Sequence, residues 1–368
     1  MFSASSVYEP RLEEIKRIIT SNFRVRDLYY DAGVLTFDIE DTWIKERFKE
    51  AALKMRELGY LPTAKKTERG VQIKVYPYSR PKKGSMRIPI LMMTATIATV
   101  GADGYLRSSS PIHKLLQIQY GISEIIIQSL LFTIAIFSIV FIHEMGHKIS
   151  AWIDKISASP PYFIPGLPGF IPTFGAVIFQ RDPLVNRDDM FDIGVSGPVA
   201  GFMVGVLVTF LAFQTAVWIP AEQYLTVISS AVEEGAVFYS PPLIFHLIKM
   251  LYGNPDSVPF FMSVGFAAWL GMVVTALNLL PIWQLDGGRI FRSFLSRRQH
   301  IIASYIALGI LAITGYFFMA LLIILLMHRA PDIAPLDEVS PLSRGRKLAM
   351  IGVIAMLMLS YVPLTRVA

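Results

Sequence analysis

Residues 125–142 contain no charged side chain and are long enough to cross a bilayer as a helix. Similar apolar stretches recur along the chain, so the expected fold class is a polytopic α-helical membrane protein. About six spans are read, near 88–103, 122–150, 190–218, 258–282, 301–327 and 347–365. A hydrophobic content of 53% and a mean hydropathy of +0.50 exceed what an ordinary soluble domain carries. One apolar stretch breaks the pattern. Residues 156–181 hold Pro160, Pro161, Pro165, Pro168 and Pro172, and a lipid-facing helix cannot absorb that many missing amide donors. A Pro-rich re-entrant loop is expected there, with residues 173–179 as a short extended piece.

The first 80 residues read differently. Leu12, Ile15, Ile18 and Ile19 repeat at helical spacing, two alternating stretches flank Asp31-Ala32-Gly33, and two more flank Glu68-Arg69-Gly70. Between the hairpins, Asp41-Thr42 is expected to cap a helix over 43–58. The order α-β-β-α-β-β predicts a small soluble α+β domain over 1–80, a basic linker over 81–87 and a membrane domain over 88–368. The domain carries no catalytic constellation and is expected to bind a regulatory partner or to stabilise the rest. The start of the chain has neither the apolar core of a secretory signal nor the composition of a transit peptide.

The net charge of +6 does not point to nucleic acid, because the basic residues crowd into the first 87 positions, beside the apolar stretches. They fit a lipid surface. By the positive-inside rule the amino-terminal domain is cytoplasmic in a multi-pass cell-membrane protein, and the last connector, with Arg329, Arg344, Arg346 and Lys347, falls outside. There is no cysteine, so thiol chemistry is excluded and any metal must be held by His, carboxylate or water.

At the end of the second span stands His143-Glu144-Met145-Gly146-His147. On a helix the two histidines lie four apart on one face and can share one Zn²⁺, with Glu144 beside it as a general base. The fourth span delivers Asp286, followed by Gly287 and Gly288, to the same depth. Depth favours Asp286 as third ligand over Asp192, although Asp286 could instead cap the helix that follows it. Asn278 is either a donor to the developing oxyanion or an interhelical hydrogen bond. His246, His113, His300 and His328 are expected at the interface or surface.

These motifs, with Phe174-Gly175-Ala176 and Ser196-Gly197-Pro198, resemble the site-2 protease family of intramembrane zinc metalloproteases over about 131–292. The soluble head and the span number look like its archaeal and plastid branch, and the lack of a transit peptide suits a prokaryotic version. One departure is Gln284, where many relatives carry proline. The resemblance implies a hydrolase holding one Zn²⁺ per chain through His143, His147 and Asp286. It implies that Glu144 and Asn278 are catalytic, and that transmembrane protein substrates bind along Phe174, Gly175, Ala176 and Val177 by strand addition. If they do not, that stretch is a plug beside the site. The competing class is a catalytically silent scaffold or a metal transporter. Against it, no internal repeat of ligand-bearing halves is visible, and neither the glutamate nor a ligand is missing.

Overall fold

The computed structural model describes residues 5–81, 84–109, 121–233, 240–252, 256–283, 285–327 and 334–362. His113, Gln284, His328 and Arg329 lie outside them.

Helix α1 (Ser5–Asn22) buries Ile15 and Ile19 against a four-stranded antiparallel sheet of order β1-β2-β4-β3. The first hairpin, β1 (Val25–Asp31) and β2 (Val34–Ile39), turns through Ala32 and Gly33, both at positive φ, the geometry whose twist matches paired strands. Helix α2 (Lys45–Glu57) follows, then β3 (Tyr60–Thr67) and β4 (Gly70–Pro77). Strict alternation on β4 sends Val71, Ile73 and Val75 into a core shared with Phe48, Ala51 and Met55 of α2. Asp41 does not cap α2. Its carboxylate accepts the Arg24 amide and pairs with Arg47, and α2 begins after Ile44 without a side-chain cap.

The remaining elements are α3 (Arg87–Ser108), α4 (Ile122–Ile153), β5 (Tyr162–Leu167), β6 (Ile171–Val177), α5 (Arg187–Gln214), β7 (Val217–Pro220) and α6 (Ala221–Glu233). After them come α7 (Leu243–Leu251), β8 (Ser257–Phe260), α8 (Ser263–Leu279), α9 (Asp286–Phe294), α10 (Arg297–Ile313), α11 (Phe317–Met327) and α12 (Arg344–Ser360). The fold is therefore mixed α+β. Among the described residues, α4 and α5 are the two helices long and apolar enough to cross a membrane, not six. Several reasons are local. Part of the stretch 258–282 is spent on β8, which pairs with β7, so α8 keeps 17 residues. The stretch 301–327 is two helices, broken where Gly315 adopts φ +100°. Ile127, Leu130 and Ile134 on α4, Met203, Leu207 and Phe210 on α5, and Ile302, Ile306 and Ile310 on α10 form exposed stripes at helical spacing. Apolar stripes of that length are out of place on a water-facing surface and belong against lipid.

Residues 156–181 are not an irregular loop. β5 and β6 form an antiparallel hairpin, with Pro165 and Pro172 inside its strands, and a two-stranded sheet has free edges that tolerate missing donors. Its turn is tied to α3: the Gly169 amide donates to the fully buried Asp103 carboxylate at 2.6 Å, and Thr99 Oγ1 donates to the Pro172 carbonyl at 3.2 Å.

The amino-terminal sheet is joined to the second half by backbone and by charge. Leu336 and Asp337 donate their amides to the carbonyls of Leu184 and Val185, while Ala64 of β3 exchanges hydrogen bonds with Leu336 and Glu338. Arg346, at the start of α12, pairs with Asp188 and Asp192 at the start of α5. The connector before α12 thus lies on the same side as the amino-terminal domain, which corrects the outside placement expected from charge alternation. At the other end of α12, Tyr361 and Val362 bond to Thr314 and Tyr316 at the break between α10 and α11. The break therefore lies at the far end, and the chain has come back by Leu336. His246 is exposed on α7, but His300 is not at the surface: it is 2% exposed and stacks on Trp283 at 5.7 Å.

Candidate metal centre

Helix α4 sets His143 and His147 one turn apart, and α5 packs so closely on that face that its small residues are obligatory. A methyl group at Gly197 would overlap the His147 ring, and one at Gly201 would press on His143. Gly146 in turn lies against the Ser196 carbonyl. The third element is the break after α8. Leu280 and Leu285 are extended, and α9 folds back with Gly287 and Gly288 against the carbonyls of Leu279, Leu280 and Ile282, where no side chain would fit. That reversal brings Asp286 to the histidines.

The resulting triangle is nearly equilateral. His143 Nε2 and His147 Nε2 are 3.2 Å apart, and Asp286 Oδ2 is 3.1 Å from the first and 3.2 Å from the second. Tetrahedral zinc with bonds of 2.0–2.1 Å separates its ligand atoms by about 3.3–3.4 Å. The donor set fits that ion with only a slight opening. The tautomer fits as well: His147 Nδ1 lies 2.6 Å from the Ile193 carbonyl, which can only accept, so Nδ1 carries the proton and Nε2 presents a lone pair to the centre. Asp286 begins α9 but does not cap it; Leu285 is the cap residue and makes no side-chain cap bond. The rival Asp192 is held by Arg346, with both carboxylate oxygens engaged.

Glu144 is buried and faces the same cavity, of about 230 Å³, without a hydrogen bond to any described residue. Asn278 Nδ2 approaches His143 Nε2 to 3.5 Å and also lines the cavity. Of the four hairpin residues expected to meet substrate, Ala176 and Val177 form its wall. Phe174 and Gly175 do not; Phe174 is exposed, and Gly175 turns the strand at φ +83°.

The sequence signature of peptidase family M50 matches residues 131–322, just over half of the chain, and takes in every member of the triangle. The chain belongs to peptidase family M50. Its M50 segment is similar to that of the probable zinc metalloprotease EGY2, chloroplastic, of Oryza sativa subsp. indica, at 30% identity over 208 residues, 55% of this chain and 36% of that protein. It is also similar to EGY1, chloroplastic, of Arabidopsis thaliana, at 26% identity over 229 residues, 59% of this chain and 40% of that protein. This M50 chain spans less than half of the length of these relatives. A solved site-2 protease from Methanocaldococcus jannaschii covers 63% of this chain and 90% of its own at 18% identity, with a TM-score of 0.29, too loose a superposition to compare positions. Family membership and the His-His-Asp cluster together fit a metal-dependent peptidase site.

Two polar residues of the M50 cavity were not anticipated as site residues. Gln180, three positions past Val177, and Arg289, three past Asp286, meet across it at 3.4 Å. The signal available was faint: a charged residue one helical turn from a ligand must share its face.

Outside the membrane-crossing helices, charge is tuned at the seam with the amino-terminal domain. Burial, then the hydrogen bond to Asp182, pushes the Tyr78 hydroxyl up to about 12. Burial opposes the charge on Lys49, but Asp189 and Asp154 outweigh it and hold its pKa above the ordinary lysine value.

Proposed function

We propose that this chain is an intramembrane zinc metalloendopeptidase that hydrolyses peptide bonds within or beside transmembrane helices of membrane-protein substrates. The observation that carries the reading is the closed triangle of His143, His147 and Asp286, with Glu144 free in the adjoining cavity, on helices whose outer faces suit lipid. One zinc ion held there would supply a Lewis acid and a water of lowered pKa.

The chain's own residues do the rest. Glu144, with no competing hydrogen bond, takes the proton of the attacking water and returns it to the departing amide nitrogen. Asn278 Nδ2 is placed to donate to the carbonyl oxygen as charge builds on it. A helical substrate hides its carbonyls in its own hydrogen bonds and must unwind first. The outer edge of β6, unpaired among the described residues, offers backbone partners to the unwound strand beside Ala176 and Val177.

Residues 1–80 form a cytoplasmic domain, 81–87 a basic linker and 88–368 a multi-pass membrane domain. In this topology α4 and α5 cross the bilayer, and α3, α8, α10, α11 and α12 complete the membrane domain around them. The amino-terminal domain is a docking module for a regulatory partner.

Glu144→Gln tests the core of the reading. Zinc content stays at one per chain, and cleavage of a single-span substrate falls by about 10²–10⁴-fold. Cleavage that survives in the variant would sink the enzyme assignment.

A further inference from the structure

Arg289 sits in the first turn of α9 and lines the cavity that holds Glu144. A cation is disfavoured at that place, because a helix start already carries partial positive charge and a half-buried guanidinium has lost part of its hydration. Several other sheltered cations at this end of the molecule solve the problem by pairing. Lys45, Lys49, Arg56 and Arg346 each meet a carboxylate within 3.2 Å. Among the described residues Arg289 meets none within 4.0 Å, the Glu144 carboxylate standing farther off in the same cavity. Its Nη1 donates a long bond, 3.4 Å, to Gln180 Oε1, and its Nε is buried without a partner. Gln180 is itself oriented, since its Nε2 donates to the Asp182 carbonyl at 2.7 Å and leaves Oε1 towards the guanidinium. The amide aims Arg289 without neutralising it.

We propose that Arg289 is a specificity-determining residue that binds a carboxylate of the substrate, an Asp or Glu side chain near the scissile bond. A planar guanidinium with free donors matches a carboxylate with two parallel hydrogen bonds. Gln180 lies three residues beyond Val177, so a strand paired along β6 would carry a side chain to Arg289 about 10 Å from the point opposite Val177, at roughly 3.3 Å per residue. That places the acidic position two to four residues from the bond that is cut. The inference rests on the peptidase reading above.

The test uses the zinc-loaded full chain and single-span substrates that carry Asp, or Asn in its place, at each position within five residues of the scissile bond. Wild type is expected to prefer Asp over Asn by about tenfold or more in kcat/KM, mostly through KM, at one or two neighbouring positions. In Arg289→Gln the ratio falls to within about threefold of one, and Arg289→Lys keeps part of it. Because the readout is a ratio, a slower variant still reports, and Arg289→Met takes the place of the Gln variant if that one loses zinc. A flat Asp/Asn profile in wild type overturns the proposal with no variant at all, as does a preference that survives removal of the guanidinium. A wild-type chain that binds zinc yet cleaves none of the substrates fails the peptidase reading instead.

Discussion

Two groups of sheltered carboxylates lie within a few turns of each other and are neutralised in opposite ways. At the seam with the amino-terminal domain, Asp154, Asp182, Asp188, Asp189 and Asp192 are each met by Lys or Arg. At the start of α9, Asp286 faces, among the described residues, the nitrogens of two imidazoles, one of which has its proton on the far side of the ring. A buried carboxylate needs a positive partner. Where the chain uses it for cohesion, it supplies that partner itself; at Asp286 it supplies two imidazoles, a donor set that fits a divalent cation.

The comparison can be broken at either end. The largest effect is expected at the triangle: Asp286→Ala should lower bound zinc to near background and cleavage by at least about 10³-fold, whereas Asp192→Asn should leave zinc in place. Metal analysis of the two purified variants decides, and the reverse outcome would move the third ligand. Next comes Arg56→Met at the seam. Arg56 and Asp182 are almost fully buried, so removing the cation leaves Asp182 with only the more exposed Arg80 at 3.7 Å and should cost up to about 3–5 kcal/mol in thermal or denaturant unfolding, with part recovered by adding Asp182→Asn. Gly197→Ala sharpens the contrast from outside the ligand set. Its methyl displaces His147, and zinc affinity measured by competition should drop by about 10–100-fold.

The smallest expected effect is on pH. Tyr78 and Lys49 both have raised values in the fold, so their contribution to the seam is complete below their unfolded values near 10 and is lost as pH climbs through the folded ones, about 12 for Tyr78. The denaturant midpoint of unfolding should fall between about pH 10 and 12, while Tyr78→Phe narrows the change; a midpoint flat across that window would remove both groups from the seam's energetics.

What the sequence discloses follows the range of the interactions. His143 and His147 are four apart on one helix, and helical geometry alone puts them on a common face. The turn residues of the amino-terminal hairpins announce themselves because Gly33 and Gly70 answer a backbone demand at their own positions. Asp286 could be ranked above Asp192 by depth, but the decisive fact, that Arg346 occupies Asp192, joins residues 154 apart and leaves no periodic trace. The break at Gly315 is hidden for another reason. Both flanks are apolar, so hydropathy runs straight through a reversal that only the pairing of Tyr361 and Val362 with Thr314 and Tyr316 reveals. The same blindness put His300 at the surface, because one histidine in a polar stretch says nothing of the Trp283 ring it will stack on.

The facing rows on α4 and α5 behave like the two scales of a vernier. His143 and His147 are spaced by one turn, and Gly201 and Gly197 accept them at the same pitch. A slide of a single residue, about 1.5 Å, would set bulkier neighbours such as Pro198 or Phe202 against the imidazoles. Metal affinity is thereby coupled to the offset between two membrane-crossing helices, and bilayers of graded thickness, which alter helix tilt, become a way to move that offset. A cobalt-substituted protein reconstituted across such a series would read out sliding in its absorption spectrum, with the candidate metal site serving as a strain gauge for the surrounding lipid.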